Sequence, residues 1–370
     1  MKYEARDIQI IRTSVVGIVA NILLALFKAV VGAISGSIAI IMDALNNMSD
    51  VLSGVITILG ARLSARPADS GHPFGHGRIE YFSAIVISII VLVAGFSAMF
   101  ESIKKIIHPT TPTYTMVTLL VIIVAIFVKI FLGRYVSRKG KQLSSDSLIA
   151  SGADATFDAV VTLATLVSAG IMLLTNINLD GVFGLLISLV IIHAGMGMLK
   201  SPVNQLLGEG APKELTEQIR KEVMEYPEVQ GVNDIILNYY GPETIIGSMH
   251  ISVAETLTAG HIHELTRAIS ERLYEHHHII ATIGIYAINT SQELVEKEKM
   301  IADFVNSQPH VLQTHGFYYY ADQNCFTLDI VHDDSILDEK AFSDDMHEKL
   351  AKQFPKYVFN IVIDHSYTGQ

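Results

Sequence analysis

Gly36-Ser37-Ile38-Ala39-Ile40-Ile41-Met42-Asp43-Ala44-Leu45-Asn46-Asn47-Met48-Ser49-Asp50 lies inside an apolar run long enough to cross a bilayer. About a hundred residues on, Leu148-Ile149-Ala150-Ser151-Gly152-Ala153-Asp154-Ala155-Thr156-Phe157-Asp158 has the same character. Each stretch carries two oxygen-bearing side chains four residues apart, Asn46 with Asp50 and Asp154 with Asp158. On a helix, positions i and i+4 share one face, one turn apart. Two such helices facing each other bring four oxygen ligands to one point.

The surrounding sequence is that of a membrane protein with a soluble tail. The chain has 370 residues, half of them apolar, and the long hydrophobic runs end near Lys200. Six segments of spanning length are expected: 14–33, 37–63, 81–106, 116–132, 148–174 and 182–199. Arg62, Arg66 and Arg78 follow the second, Arg134, Arg138, Lys139 and Lys141 the fourth, and Lys200 the sixth. The opposite loops hold little beyond Lys104 and Lys105, so both termini and the tail are expected on the cytoplasmic side. The polar start, Met1 to Arg12, offers no signal-peptide cleavage site, and the first span is expected to stay in the membrane.

Past Ser201-Pro202 the pattern turns to alternating helix and strand. Helix 213–224, strands 231–240 and 245–253, helix 259–275 and strand 279–288 make an αββαβ order. That is the content of a small ferredoxin-like sandwich, expected with an antiparallel sheet. The order repeats as helix 294–306, strands 311–320 and 325–331, helix 339–353 and strand 357–364. The expected fold is an α-helical six-span transmembrane bundle followed by α+β ferredoxin-like cytoplasmic domains, divided as 1–208, 209–291 and 292–370.

Composition narrows the function. The net charge of −11 is concentrated in the tail, which argues against nucleic acid and suits cationic partners. Cys325 is the only cysteine, so neither a disulfide framework nor a thiolate cluster forms within one chain. No nucleophile–base pair or phosphate loop stands at a recognisable spacing, and no enzyme is expected.

Each mid-membrane Asp costs roughly 2.5–3.5 kcal/mol to insert. Packing glue does not need charge, and Lys28 is the one central base read against three acids. Oxygen ligands without sulfur or imidazole suit a hard ion such as Mn²⁺, Mg²⁺ or Ca²⁺ rather than zinc. Carboxylates also take up protons once a metal has left, so one site can exchange the two.

Several motifs carry a family resemblance. Gly36-Ser37-x-Ala39 running into Asp43 and Asp50, the Asp158 match in span five, and Pro67-Ala68-Asp69-Ser70-Gly71-His72-Pro73-Phe74-Gly75-His76-Gly77-Arg78-Ile79-Glu80 resemble the cation diffusion facilitator family over about residues 10 to 290. The loop matches that family's H-P-F-G-H-G-(K/R)-x-E motif in full. The resemblance implies a homodimeric divalent-metal/proton antiporter that exports from the cytoplasm across the plasma membrane. Asn46 and Asp154 resemble the manganese-type members, which implies Mn²⁺ as the transported ion and no resident cofactor. Zn²⁺, Fe²⁺ or Cd²⁺ efflux is the alternative, and a membrane-bound metal sensor without flux is the rival of another class. In zinc-type members Asp69, His72 and His76 resemble a second metal site at the cytoplasmic edge. His250 and His263 fall at places matching a tail site of such members, although Asn233, Tyr286 and Ile288 depart from it. A reduced tail site is then expected on His250, His261 and His263.

Overall fold

A computed structural model of the chain describes residues 2–35, 38–108, 116–175, 179–241, 244–333 and 335–365. The side chains of Asp43 and Asn46 lie outside the described residues, as do Gly36 and Ser37. The described chain divides into two compact units.

The first unit is helical: α1 (Lys2–Ser35), α2 (Ile38–Ser64), α3 (Ile79–Ile107), α4 (Met116–Gln142), α5 (Asp146–Thr175) and α6 (Asp180–Leu207). Among the described residues, α1, α3, α4, α5 and α6 are long and apolar enough to cross a membrane, and α2 has the length to do so. The helices run past the apolar segments into the charged flanks, because intrahelical bonding of the backbone continues to favour helix there. The most extensive pairings are α1 with α2, α3 with α6, and α4 with α5. Small residues let the last pair approach closely. A Cβ on Gly133 would sit 2.3 Å from Thr156 Oγ1, and one on Gly152 would sit 2.5 Å from the Ser137 backbone nitrogen.

Arg6 ties several helix ends together. It makes a two-pronged bond to the buried Glu80 carboxylate at 3.1 Å and donates to the carbonyl oxygens of Leu143 and Ser144.

The second unit holds two αββαβ modules. The first comprises α7 (Lys213–Val223), β1 (Gly231–Tyr239), β2 (Ile245–Ala254), α8 (Ala259–His277) and β3 (Ile279–Ile288). The second comprises α9 (Gln292–Asn306), β4 (Val311–Tyr320), β5 (Cys325–His332), α10 (Glu339–Gln353) and β6 (Val358–Asp364). Side-chain caps start three of the helices: Thr258, Ser291 and Asp338 accept from the backbone N–H three residues on.

Each sheet has three strands, in the orders β1-β2-β3 and β4-β5-β6. The expected antiparallel sheet is corrected here. β2 pairs with β3 in parallel, and β5 with β6 likewise, whereas β4–β5 is antiparallel. A helix joins each parallel pair, and a strand–helix–strand crossover brings the second strand back in the same direction. Each module has its own core, built on Ile219, Met249, Ile251, Ile269 and Leu273 in the first and on Ile301, Phe326, Leu328, Met346 and Leu350 in the second. Polar bonds join the modules: Asn289 donates to Glu255 and accepts from the Tyr319 backbone N–H at 2.8 Å.

Candidate metal centre

The polar pairs that open the sequence reading lie on α2 and α5, and the two helices meet at a side chain that the reading missed. Lys129 on α4 is 3% exposed. Its ammonium donates to Asp158 Oδ2 at 2.8 Å and also to Asp50 Oδ2. One cation thus touches a carboxylate from each helix. Lys28, read from the sequence as the only central base, is buried and donates to Asn47 Oδ1 at 3.3 Å, close enough for its charge to act on Asp50 as well. The correction has a sequence signal behind it. Lys129 interrupts an apolar span, and an ionisable residue there is as costly as the acids it meets.

Asp154 stands one turn before Asp158 on α5 and shares a cavity with Asp50. Ser14, Asn21 and Ser151 add polar atoms to its wall, and Gly17 and Gly54 also line it. The buried Asn21 Oδ1 has no hydrogen-bond partner among the described residues. Asp50, Asp154 and Asp158 do not close to within 4.8 Å of one another as a set of three. Lys129 occupies the meeting point of two of them. Asn46, the fourth expected ligand, sits on α2 with its side chain outside the described residues.

The loop after α2 brings Asp69, His72 and His76 together, with one donor atom of each within 4.8 Å of the others. His72 Nδ1 is 3.4 Å and His76 Nε2 3.6 Å from the Asp69 carboxylate. Gly75, at φ +82°, makes the turn between the two imidazoles. Asp69 also accepts from the backbone N–H groups of His72 and Gly71, and these bonds hold its carboxyl below the usual range.

The expected tail set of His250, His261 and His263 is not assembled. His250 lies on β2 with Nδ1 bonded to Asp234 Oδ2 at 2.8 Å. His261 and His263 lie in the exposed first turns of α8, and His261 Nδ1 pairs with Thr258 Oγ1. The family resemblance put these residues together, whereas within one chain His250 stands on β2 and His261 and His263 stand on α8.

His250 instead borders a charged cluster between the two modules. Asp234 Oδ1 is 2.8 Å from His315 Nε2, and Asp329 and Asp364 approach the same nitrogen at 3.8 and 3.7 Å. The Tyr286 hydroxyl lies within hydrogen-bond distance of both Asp234 and Asp329, at 2.9 and 2.6 Å, and its single hydrogen is shared between them. Gly316, at φ +64°, admits the Asp329 carboxylate where a Cβ would lie 2.8 Å from it. Burial opposes ionisation of Asp234, but bonds from His250, His315 and Tyr286 outweigh it and hold the carboxyl well below its ordinary range. Burial also works against a charged His315, yet Asp234, Asp329 and Asp364 together raise it. Burial pushes Asp329 up. The sequence offers no local pattern for this cluster, because its residues come from five strands.

Comparison with known proteins bears on the first unit and the first module. Residues 14–207 match the cation efflux transmembrane domain, and residues 211–285 match the cytoplasmic domain of cation efflux proteins. An uncharacterized transporter of Methanocaldococcus jannaschii is 29% identical over 70% of this chain and 91% of its own length. The manganese efflux system protein MneS of Bacillus subtilis is 26% identical over 72% of this chain and 91% of its own. The manganese efflux system protein MneP of the same organism is 23% identical, over 71% and 90%. With a transmembrane match across more than half its length, this multi-pass chain belongs to the cation diffusion facilitator family of cation efflux transporters.

Proposed function

We propose that the chain exports Mn²⁺ from the cytoplasm in exchange for protons, by alternating access in a homodimer at the plasma membrane, with both termini cytoplasmic. Asp50, Asp154 and Asp158, with Asn46, take the ion, and α2 and α5 carry it between inward- and outward-facing states. The observation that carries this reading is the buried ammonium of Lys129 bonded to carboxylates of both helices. It marks the spot where this bundle balances a cation against acids in the lipid interior.

Asp50, Asp154 and Asp158 outnumber the ammoniums of Lys129 and Lys28 that act on them, so the site attracts a further cation. An entering ion displaces Lys129 from Asp50 and Asp158, and the lysine returns when the ion leaves. The carboxylates take protons for the return step. The oxygen-only ligand set favours Mn²⁺ over Zn²⁺, and two relatives bear the name of manganese efflux proteins. The cytoplasmic module, matched to the family's cytoplasmic domain, holds the dimer.

Zn²⁺, Fe²⁺ or Cd²⁺ efflux is the second reading, and the imidazoles beside Asp69 favour it. Flux assays in reconstituted vesicles with Mn²⁺, Zn²⁺, Fe²⁺ and Cd²⁺, under an imposed pH gradient, separate these readings. Mn²⁺ movement driven by the gradient and exceeding the other three is expected. Metal binding without movement of any of them indicates a sensor and overturns the antiporter.

A further inference from the structure

Residues 286–370 lie beyond both family matches, and the second module carries a side-chain cluster with no part in the proposed transport site. β5 and β6 run in parallel with Val331 opposite Asp364. The next residue along each strand direction is a histidine, His332 on one and His365 on the other. The register therefore brings the two rings side by side, with centroids 5.4 Å apart. α10 begins above them, and Glu339 in its first turn lies 3.4 Å from His365 Nε2. One donor atom each of His332, Glu339 and His365 falls within 4.8 Å of the others.

His332 is set up as a ligand. Its Nδ1 lies 2.7 Å from the carbonyl oxygen of Asp333. A carbonyl only accepts, so Nδ1 carries the hydrogen and Nε2 of the neutral ring keeps its lone pair. This is the arrangement in which metal-ligating histidines are commonly held, with the far nitrogen bonded to a backbone oxygen. Nε2 is buried and has no hydrogen-bond partner among the described residues. The side chain is 5% exposed and packs on the ring of Phe342. A buried acceptor without a donor is costly, and a cation at the mouth of the cluster satisfies it.

We infer that His332, Glu339 and His365 form a divalent-metal site that staples the start of α10 to the ends of β5 and β6. Two imidazoles and one carboxylate make a borderline set, suited to Zn²⁺ and Co²⁺ and poorer for Mn²⁺. The chemistry thus differs from that of the oxygen-lined transport site: the tail binds one class of ion and the membrane unit moves another. Glu339 and His365 are half exposed, which leaves a path for the ion from solvent.

The test uses the full-length protein with Asp50→Asn and Asp158→Asn, so that the transport site is silenced whether or not the antiporter reading holds. Co²⁺ is added and its visible absorption followed, since imidazole-bound Co²⁺ of low coordination number absorbs strongly. One Co²⁺ per chain, displaced by Zn²⁺ and not by equimolar Mn²⁺, is expected. His365→Gln should weaken binding about tenfold or more, and His332→Gln should abolish the bands. His332 is buried, so the exposed His365 provides the variant whose effect cannot be assigned to a damaged core. No Co²⁺ bands, or bands unchanged in both variants, overturn the inference. Bands lost in His76→Gln or His315→Gln but kept in His365→Gln locate the metal at the loop or the inter-module cluster and overturn it equally.

Discussion

The ammonium of Lys129 lies 2.8 Å from Asp158 Oδ2 while it also bonds Asp50, so a base on α4 joins an acid of α5 to an acid of α2. Under the proposed mechanism this lysine and the metal compete for the same carboxylates. Lys129→Met leaves those acids without their cation, which costs a buried pair about 3–5 kcal/mol in the metal-free protein. The metal-free unfolding midpoint should fall, Mn²⁺ should bind about tenfold or more tightly, and turnover should slow because release becomes harder. Calorimetric Mn²⁺ titration beside vesicle flux checks this; unchanged affinity removes the competition.

Arg6 and Glu80 supply a second buried pair, at the ends of α1 and α3. Arg6→Ala strands a carboxylate that is 2% exposed and frees the carbonyls of Leu143 and Ser144. A loss of about 3–5 kcal/mol is expected. Glu80→Gln, which keeps hydrogen-bonding atoms, should lose less. Thermal unfolding of the two variants in detergent orders them.

Asp154 faces the cavity shared with Asp50. Replacing its oxygen donor with an imidazole nitrogen moves the site toward zinc. Asp154→His should raise Zn²⁺ flux relative to Mn²⁺ in the same vesicles, and an unchanged ratio counts against the role of ligand hardness.

The cluster of Asp234, His315, Asp329 and Asp364 makes the second unit sensitive to pH in a defined direction. Asp234 is held below its ordinary pKa, so its contribution is present above about pH 4 and is lost as pH falls through its folded value. His315 is held above its ordinary pKa. Its contribution is complete below about pH 6.5 and is lost as pH rises through its folded value. Asp329, pushed up by burial, also favours the lower pH side. Stability of this unit in the full-length protein should peak between these limits, and His315→Gln should flatten the alkaline decline. Unfolding midpoints from about pH 2 to 9 measure both.

Periodicity made the membrane half readable. The i, i+4 pairs on α2 and α5 pointed to one face each, and their facing acids meet at one lysine. The lysine itself escaped because its pairing depends on how closely α4 approaches α5, which Gly133 and Gly152 decide across the interface. In the tail, strand and helix order followed from alternation and turn residues; the helix between β2 and β3, and between β5 and β6, also pointed to parallel pairs, a signal that the expectation of an antiparallel sheet passed over. His250, His261 and His263 were grouped by resemblance to the tail site of zinc-type family members, not by a pairing of strand with helix. Asp234 and His315 escaped because β1 and β4 come together only in the folded unit.

Mn²⁺ counterflow in vesicles holding Asp50→Asn or Asp158→Asn probes the meeting point of α2 and α5 most directly. Both variants should reach the membrane, fold as dimers and move no Mn²⁺ above protein-free vesicles. Wild-type flux from either folded variant would mean that the ion does not pass between these two acids.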